Sequence, residues 1–139
     1  MKVPSTPPLP GYTIYDPDDP FETMTGPFFW SGLDNETPSI VCQVAEKHCN
    51  THGIVHGGLM MTMIDLALVV TAKKTPGDRF VTVSLNSEFV ASGHFGDLIE
   101  AQGELVRRTR SMAFTRGQVT CGDRVLLIAS AVLKLIGPG

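Results

Sequence analysis

The chain has 139 residues, 42% of them hydrophobic and 18% charged. That is enough for one globular domain with a single core, too little for two, and it excludes a disordered chain. A formal net charge of −3 excludes a general nucleic-acid binder, because phosphate contacts need a basic surface.

The first residues, Met1 to Pro8, hold no apolar run that could act as a signal-peptide core, and no later stretch reaches membrane-spanning length. A cytoplasmic protein with no membrane partner is expected. Cys42, Cys49 and Cys121 form no C-x-x-C pair, so they suit a reducing compartment better than a disulfide framework or a zinc ribbon. Eight of the ten prolines precede Ser39, so residues 1–38 read as a proline-rich arm, with no long helix or central strand. Within it, Asp19-Pro20-Phe21-Glu22 predicts a short helix start: an N-cap acid, proline at the first helical position and glutamate at N3. Gly26-Pro27 ends it. Phe28, Phe29 and Trp30 are too apolar to leave in water, which predicts that the arm lies against the body or a neighbouring subunit.

Residues 39–139 read as the domain proper. Alternation and β-branched content predict a strand from Ser39 to Glu46, followed by a glycine-bearing loop. From Gly57 to Lys73 the chain is apolar on nearly every side except at Thr62, Asp65 and Thr71, the pattern of a buried helix. A membrane span is the competing reading, but the run is short and carries a carboxylate in its middle. Strands follow at Phe80 to Ala91, Leu98 to Arg108, Met112 to Thr120 and Val125 to Ile136, separated by short Gly-, Asp- or Ser-bearing turns. One buried helix and four long antiparallel strands predict an α+β fold whose sheet curls around the helix. The surfaces left uncovered predict a dimer that extends the sheet or packs helix on helix. Arg107, Arg108 and Arg110 sit together at a predicted hairpin tip. They read either as a solvated turn or as a small patch for a ligand's phosphates.

The chemistry narrows by elimination, since the sequence has no G-x-S-x-G elbow, P-loop, G-x-G-x-x-G after a strand or H-E-x-x-H. What remains is a loop with Asn50, Gly53, His56, Gly57 and Gly58, placed before a helix that carries one acid. A helix start has unpaired N–H groups and partial positive charge, so Gly57 and Gly58 suit an oxyanion hole, with the Gly57 amide the better donor. The same pair would also serve tight packing at a turn. Asp65, a lone carboxylate in an apolar helix, is costly unless paired or used; it reads either as a catalytic group or as an interface residue that fixes register. Gly57 and Asp65 lie eight positions apart, about 12 Å along one helix, so they cannot both touch one carbonyl. Antiparallel helices in a dimer would bring Gly57 of one chain to Asp65 of the other. His48-x-x-x-His52-x-x-x-His56, with Cys49 nearby, offers a metal reading at helical spacing, which Gly53 and Gly57-Gly58 oppose by marking the segment as loop. No metal or cofactor is expected.

Asn50-x-x-Gly53-x-x-His56-Gly57-Gly58 followed by Asp65, then Val81-Thr82-Val83-Ser84-Leu85-Asn86 and Gly96-Asp97, resembles the PaaI-like hotdog-fold thioesterases over about residues 39 to 136. The resemblance implies a long helix wrapped by an antiparallel sheet, hydrolysis of an acyl-CoA, and homodimers that often pair into homotetramers. It implies that the Gly57 amide polarises the thioester carbonyl, that Asp65 of the partner chain activates water or attacks directly, and that Asn50 orients the water or nucleophile. It further implies that His56 stands beside the oxyanion loop and that Thr82 helps position water or the carboxylate. A hotdog protein that binds acyl-CoA without turnover, or a hotdog hydratase or dehydratase, are the alternatives.

Overall fold

The structure, a computed structural model, describes residues 6–138. In chain order the elements are β1 (Thr13–Ile14), α1 (Pro20–Thr25), β2 (Phe29–Trp30), β3 (Ser39–Gln43), a 3₁₀ turn (Glu46–His48), α2 (Gly57–Ala72), β4 (Asp78–Phe89), β5 (Leu98–Arg108), β6 (Met112–Cys121) and β7 (Arg124–Pro138). The strands form one sheet in the order β1-β2-β3-β5-β6-β7-β4, with every neighbouring pair antiparallel. This is the α+β arrangement expected, a single sheet curled around one long helix.

Hydrophobic burial positions α2. Met63, Ile64, Ala67 and Leu68 are buried in one cluster with Ile99, Ala101, Ala113 and Leu133 from the strands. Truncating Met63, Ile64, Leu68, Ile99 or Leu133 to alanine costs about 2–5 kcal/mol each. Close approach requires glycine at position 103, since a Cβ there would stand 2.7 Å from Leu68 Cδ2. A second stripe of the helix, Met61, Thr62, Asp65, Leu66 and Val69, is only half-buried. Asp65 is therefore not sealed inside the core of its own chain; it faces outward beside apolar neighbours.

The C-terminus of α2 is held by a cation, as helix electrostatics favour. Arg108 donates to the Ala72 carbonyl (2.8 Å) and to Asp78 (3.0 Å) and lies over the Phe80 ring at 5.2 Å. The Lys74 N–H, followed by the Arg108 guanidinium, holds the Asp78 carboxyl down at about 2. The three arginines thus do not form one patch. Arg108 is turned inward by its ion pair, whereas Arg107 and Arg110 are exposed.

The described part of the arm lies against the body, as its aromatics predict. Phe28 and Phe29 are 2% and 3% exposed, and Tyr15 meets Trp30 edge-on at 5.0 Å. The Tyr12 hydroxyl joins Ser39 Oγ (2.6 Å), which donates to Glu100 (2.7 Å). Through β1 and β2 the arm extends the sheet beyond β3. Only these two short strands flank that end, whereas at the other end the twelve residues of β4 pair with β7 alone. The free edge of β4 bears exposed Val81, Val83 and Phe89. Cys42, Cys49 and Cys121 are free thiols, and burial pushes Cys42 up to about 12, leaving it an apolar filler.

Candidate active site

The loop before α2 is built on Asn50. Its Oδ1 accepts from the His52 N–H (2.9 Å) and the Ile54 N–H (3.2 Å), and Gly53 supplies the positive φ of +74° that the turn needs. His56 then caps α2: Nδ1 accepts from the Gly58 N–H at 2.9 Å, and its carbonyl accepts from the Leu59 N–H at 3.0 Å. The Gly57 N–H has no acceptor among the described residues. It is an unpaired donor at a helix start, where partial positive charge gathers.

Three contacts tie α2 to β4. At one end the Phe89 ring lies so close over Gly57 that a Cβ there would stand 2.9 Å from Cε1. In the middle Ser87 Oγ meets Met61 Sδ at 3.0 Å, and at the other end Thr82 Oγ1 donates to Asp65 Oδ1 at 2.6 Å. Simple alternation would place Thr82 with Ser84 and Asn86 on the outer face. A bulge at Val83, where the register steps from Thr82↔Leu133 to Ser84↔Val132, reverses the phase and turns the hydroxyl toward Asp65.

A groove runs along this side of α2 in two adjoining pockets. One, of about 380 Å³, holds Asp65, Thr82, Met61 and Leu85; the other, of about 350 Å³, holds His56, Gly58, Leu59 and His48. Phe21 and Thr62 line both. Within one chain, then, Asp65 and Thr82 are brought together, as are His56 and Gly58, while Gly57 lines neither pocket and lies under the Phe89 ring, away from Asp65. Asn50 lines neither pocket, and its side-chain oxygen is committed to the turn. Arg107, Arg108 and Arg110 line neither.

Sequence reasoning missed three contributors. His48 is buried, with Nδ1 accepting from the Ala45 N–H (2.9 Å) and Nε2 therefore donating to Thr25 O (2.8 Å). Its carbonyl accepts from the His56 N–H at 2.8 Å, so one residue links α1 to the capping loop. His48, His52 and His56 occupy a 3₁₀ helix, a turn and a helix cap, and the helical spacing behind the metal reading does not exist. The α1 residues Phe21, Met24 and Glu22 also line the groove. Glu22 Oε1 is buried without a partner; burial first, then Asp19 and Asp16, push this carboxyl up to about 7. Phe89, the third, had only a strand residue's signature.

Similarity to known proteins agrees with this geometry. The sequence profile of the Thioesterase superfamily matches residues 52–128. A putative esterase of Pseudomonas aeruginosa is 30% identical over 118 residues, covering 84% of this chain and 88% of that protein. Human acyl-coenzyme A thioesterase 13 is 30% identical over 87 residues, which is 58% of this chain and 60% of that protein. Among solved structures, a variant of the phenylacetic acid degradation protein PaaI from Thermus thermophilus superposes with a TM-score of 0.74 at 21% identity, over 84% of this chain and 98% of that one. The chain belongs to the thioesterase superfamily and has the hotdog fold of its PaaI-like members.

Proposed function

We propose that the protein is an acyl-CoA thioesterase that works as a homodimer with two sites, each made by both chains. The observation that carries this reading is the pairing of chemistries along α2: an unpaired Gly57 amide at the helix start and an Asp65 carboxylate held by Thr82 at 2.6 Å farther along. Two features support the dimer. The twelve-residue β4 has a free edge with exposed apolar side chains, which proteins rarely leave open. The half-buried stripe of α2 that contains Asp65 also lacks a cover within the chain. Antiparallel pairing of two β4 strands about a two-fold axis at Asn86 sets Ser84 opposite Glu88, and the bulge at Val83 then brings Thr82 of one chain opposite Phe89 of the other. The contacts between α2 and β4 then carry Asp65 of one chain to Gly57 of its partner.

In this arrangement the Gly57 N–H polarises the thioester carbonyl, and His56 keeps the Gly58 N–H occupied, leaving Gly57 as the donor that faces the substrate. Thr82 fixes Oδ1 of Asp65, and the free Oδ2 acts as base toward water or as nucleophile on the carbonyl carbon. With water, a C–O bond forms, the C–S bond breaks, and the proton taken by Asp65 passes to the departing CoA thiolate. The Asn50 backbone N–H is spent on the Ile54 carbonyl (2.8 Å), so it is the side-chain Nδ2 amino group that orients the water or the nucleophile. The substrate class is supported by the superfamily match and by the thioesterase named among the relatives. The family resemblance further supports assembly of dimers into tetramers, and the three free thiols support the cytoplasmic location expected from the sequence. No helix among the described residues is long and apolar enough to cross a membrane.

The test is a panel of aliphatic and aryl acyl-CoAs followed by thiol release. The wild-type protein is expected to turn over members of the panel, and Asp65→Asn, folded and with unchanged assembly, to lose on the order of 10²–10⁴ in rate. Absence of turnover across the panel, or full activity in Asp65→Asn, rejects the reading.

A further inference from the structure

The arm, outside the residues that carry the superfamily match, supplies one wall of the groove. Phe21 and Met24 are 53% and 64% exposed, which α1 could avoid only by turning their face toward the body. They are not free to drift. Asp19 caps α1 by accepting from the Glu22 N–H (2.8 Å), the Lys47 ammonium donates to Met24 O (3.1 Å) and His48 donates to Thr25 O (2.8 Å). Buried Phe28 and Phe29 anchor the chain directly after. Phe21 stands between the Asp65 pocket and the His56 pocket, and Met24 lines the latter.

Charge decides which part of a CoA thioester can lie against this wall. Asp16, Asp18, Asp19 and Glu22 crowd α1 and the turn before it, with carboxylate oxygens of Asp16, Asp19 and Glu22 all within 4.8 Å of one another. The phosphates of CoA are repelled there, and the pantetheine amides would find an aromatic ring and a thioether in place of hydrogen-bonding partners. An apolar acyl chain or aryl ring suits both surfaces, since it removes exposed ring and thioether from water.

Resting on the thioesterase reading above, we infer that α1 is the acyl-selecting element: Phe21 and Met24 hold the distal part of an uncharged, apolar acyl group, and on the Phe21 side Asp19, with Asp16 behind it, excludes acyl groups that end in a carboxylate. Specificity in this chain therefore resides in the arm, while the chemistry resides in the matched domain.

The experiment measures binding of a series of non-hydrolysable S-alkyl-CoA thioethers, methyl to octyl, by calorimetry, and hydrolysis of the matching acyl-CoAs, for the wild-type protein, Phe21→Ala, Phe21→Leu and Met24→Ala. Phe21→Ala is expected to reduce the octyl-over-methyl affinity ratio about tenfold, Phe21→Leu to reduce it less, and Met24→Ala to act in the same direction. A thioether ending in a carboxylate should bind the wild-type protein at least about tenfold more weakly than its methyl-terminated isostere. Ratios unchanged in all three variants, or equal weakening at every chain length, overturn the inference. Wild-type binding without any hydrolysis would instead reject the catalytic reading while leaving the wall testable through the affinities.

Discussion

Gly57→Ala separates the site's chemistry from its packing. The added Cβ would stand 2.9 Å from Cε1 and 3.0 Å from Cζ of Phe89. Carbon atoms pack comfortably at about 3.5–4.0 Å, so the ring must retreat by about 0.5–1 Å. Phe89 is 57% exposed and can swing toward solvent at a rotamer cost of about 0.5–1.5 kcal/mol. Alanine returns about 0.5–1 kcal/mol by stiffening the helix, so the two effects nearly cancel and Tm is expected within about 5 °C of wild type. Activity should not survive as well, because the methyl group and the displaced ring crowd the one unpaired amide. The loss in kcat/KM is expected to approach that of removing an oxyanion donor, on the order of 10²-fold. Thiol-release kinetics alongside thermal melts measure both quantities. Adding Phe89→Ala should recover about tenfold of the loss, because the two positions touch and their effects are not additive. A Gly57→Ala protein with wild-type turnover, or a loss that Phe89→Ala leaves unchanged, refutes the reasoning.

Other outcomes follow from the same contacts. Thr82→Ala should lower kcat more than it raises KM, by on the order of tenfold, since it frees the Asp65 carboxylate without removing it; Thr82→Ser should restore most of the rate. Asp78 is held near 2, below the ordinary carboxylate value of 3.8, so its contribution to stability is present above about pH 4 and lost as pH falls toward 2. Asp78→Asn should accordingly melt lower than wild type at pH 7, and the gap should close over that acid window. Glu22 has the opposite sign: its carboxyl is raised from 4.5 to about 7, so the folded arm binds the proton better, and stability falls as pH rises between those values. Protection of the α1 amides, as the ratio of intrinsic to observed exchange rate at each pH, should fall from pH 5 to pH 8 in the wild-type protein and change less in Glu22→Gln.

Local pattern made the frame of the fold legible. The bounds of β5 agree with the hydrophobic run from Leu98 to Arg108, and α2 starts at the glycine pair and stops one residue before Lys73. Strand ends shifted where long-range bonds intervene. The expected strand to Glu46 stops at Gln43 because the Val44 N–H bonds to Asp97 O (2.8 Å), and β4 closes at Phe89 as the Val90 N–H turns to Leu126 O (2.8 Å). The two-residue strands β1 and β2 exist only through pairing with each other and β3, which no local signal carries. In the site, Gly57 and Asp65 were readable as a helix start and a lone acid in an apolar helix, whereas His56 entered by resemblance and its capping bond to the Gly58 N–H emerged only in the structure. Thr82 was suggested only by resemblance, since alternation puts it on the wrong face until the bulge at Val83 is known. His48 looked like one of three spaced histidines. Its acceptor lies 23 residues upstream, a pairing that spacing within the loop cannot reveal. Phe21 and Met24 reach the groove only because Phe28, Phe29 and His48 fix where α1 sits.

The claim that each site is shared can be met by subunit mixing. Asp65→Asn and Gly57→Ala proteins, each nearly inactive alone, are dissociated, combined in equal amounts and allowed to reassociate. A heterodimer then holds one site with both defects and one with neither, so random pairing predicts recovery to about a quarter of wild-type activity. If Gly57 and Asp65 instead served the same site from one chain, every site would keep a defect, and the mixture would be no more active than its two components measured apart.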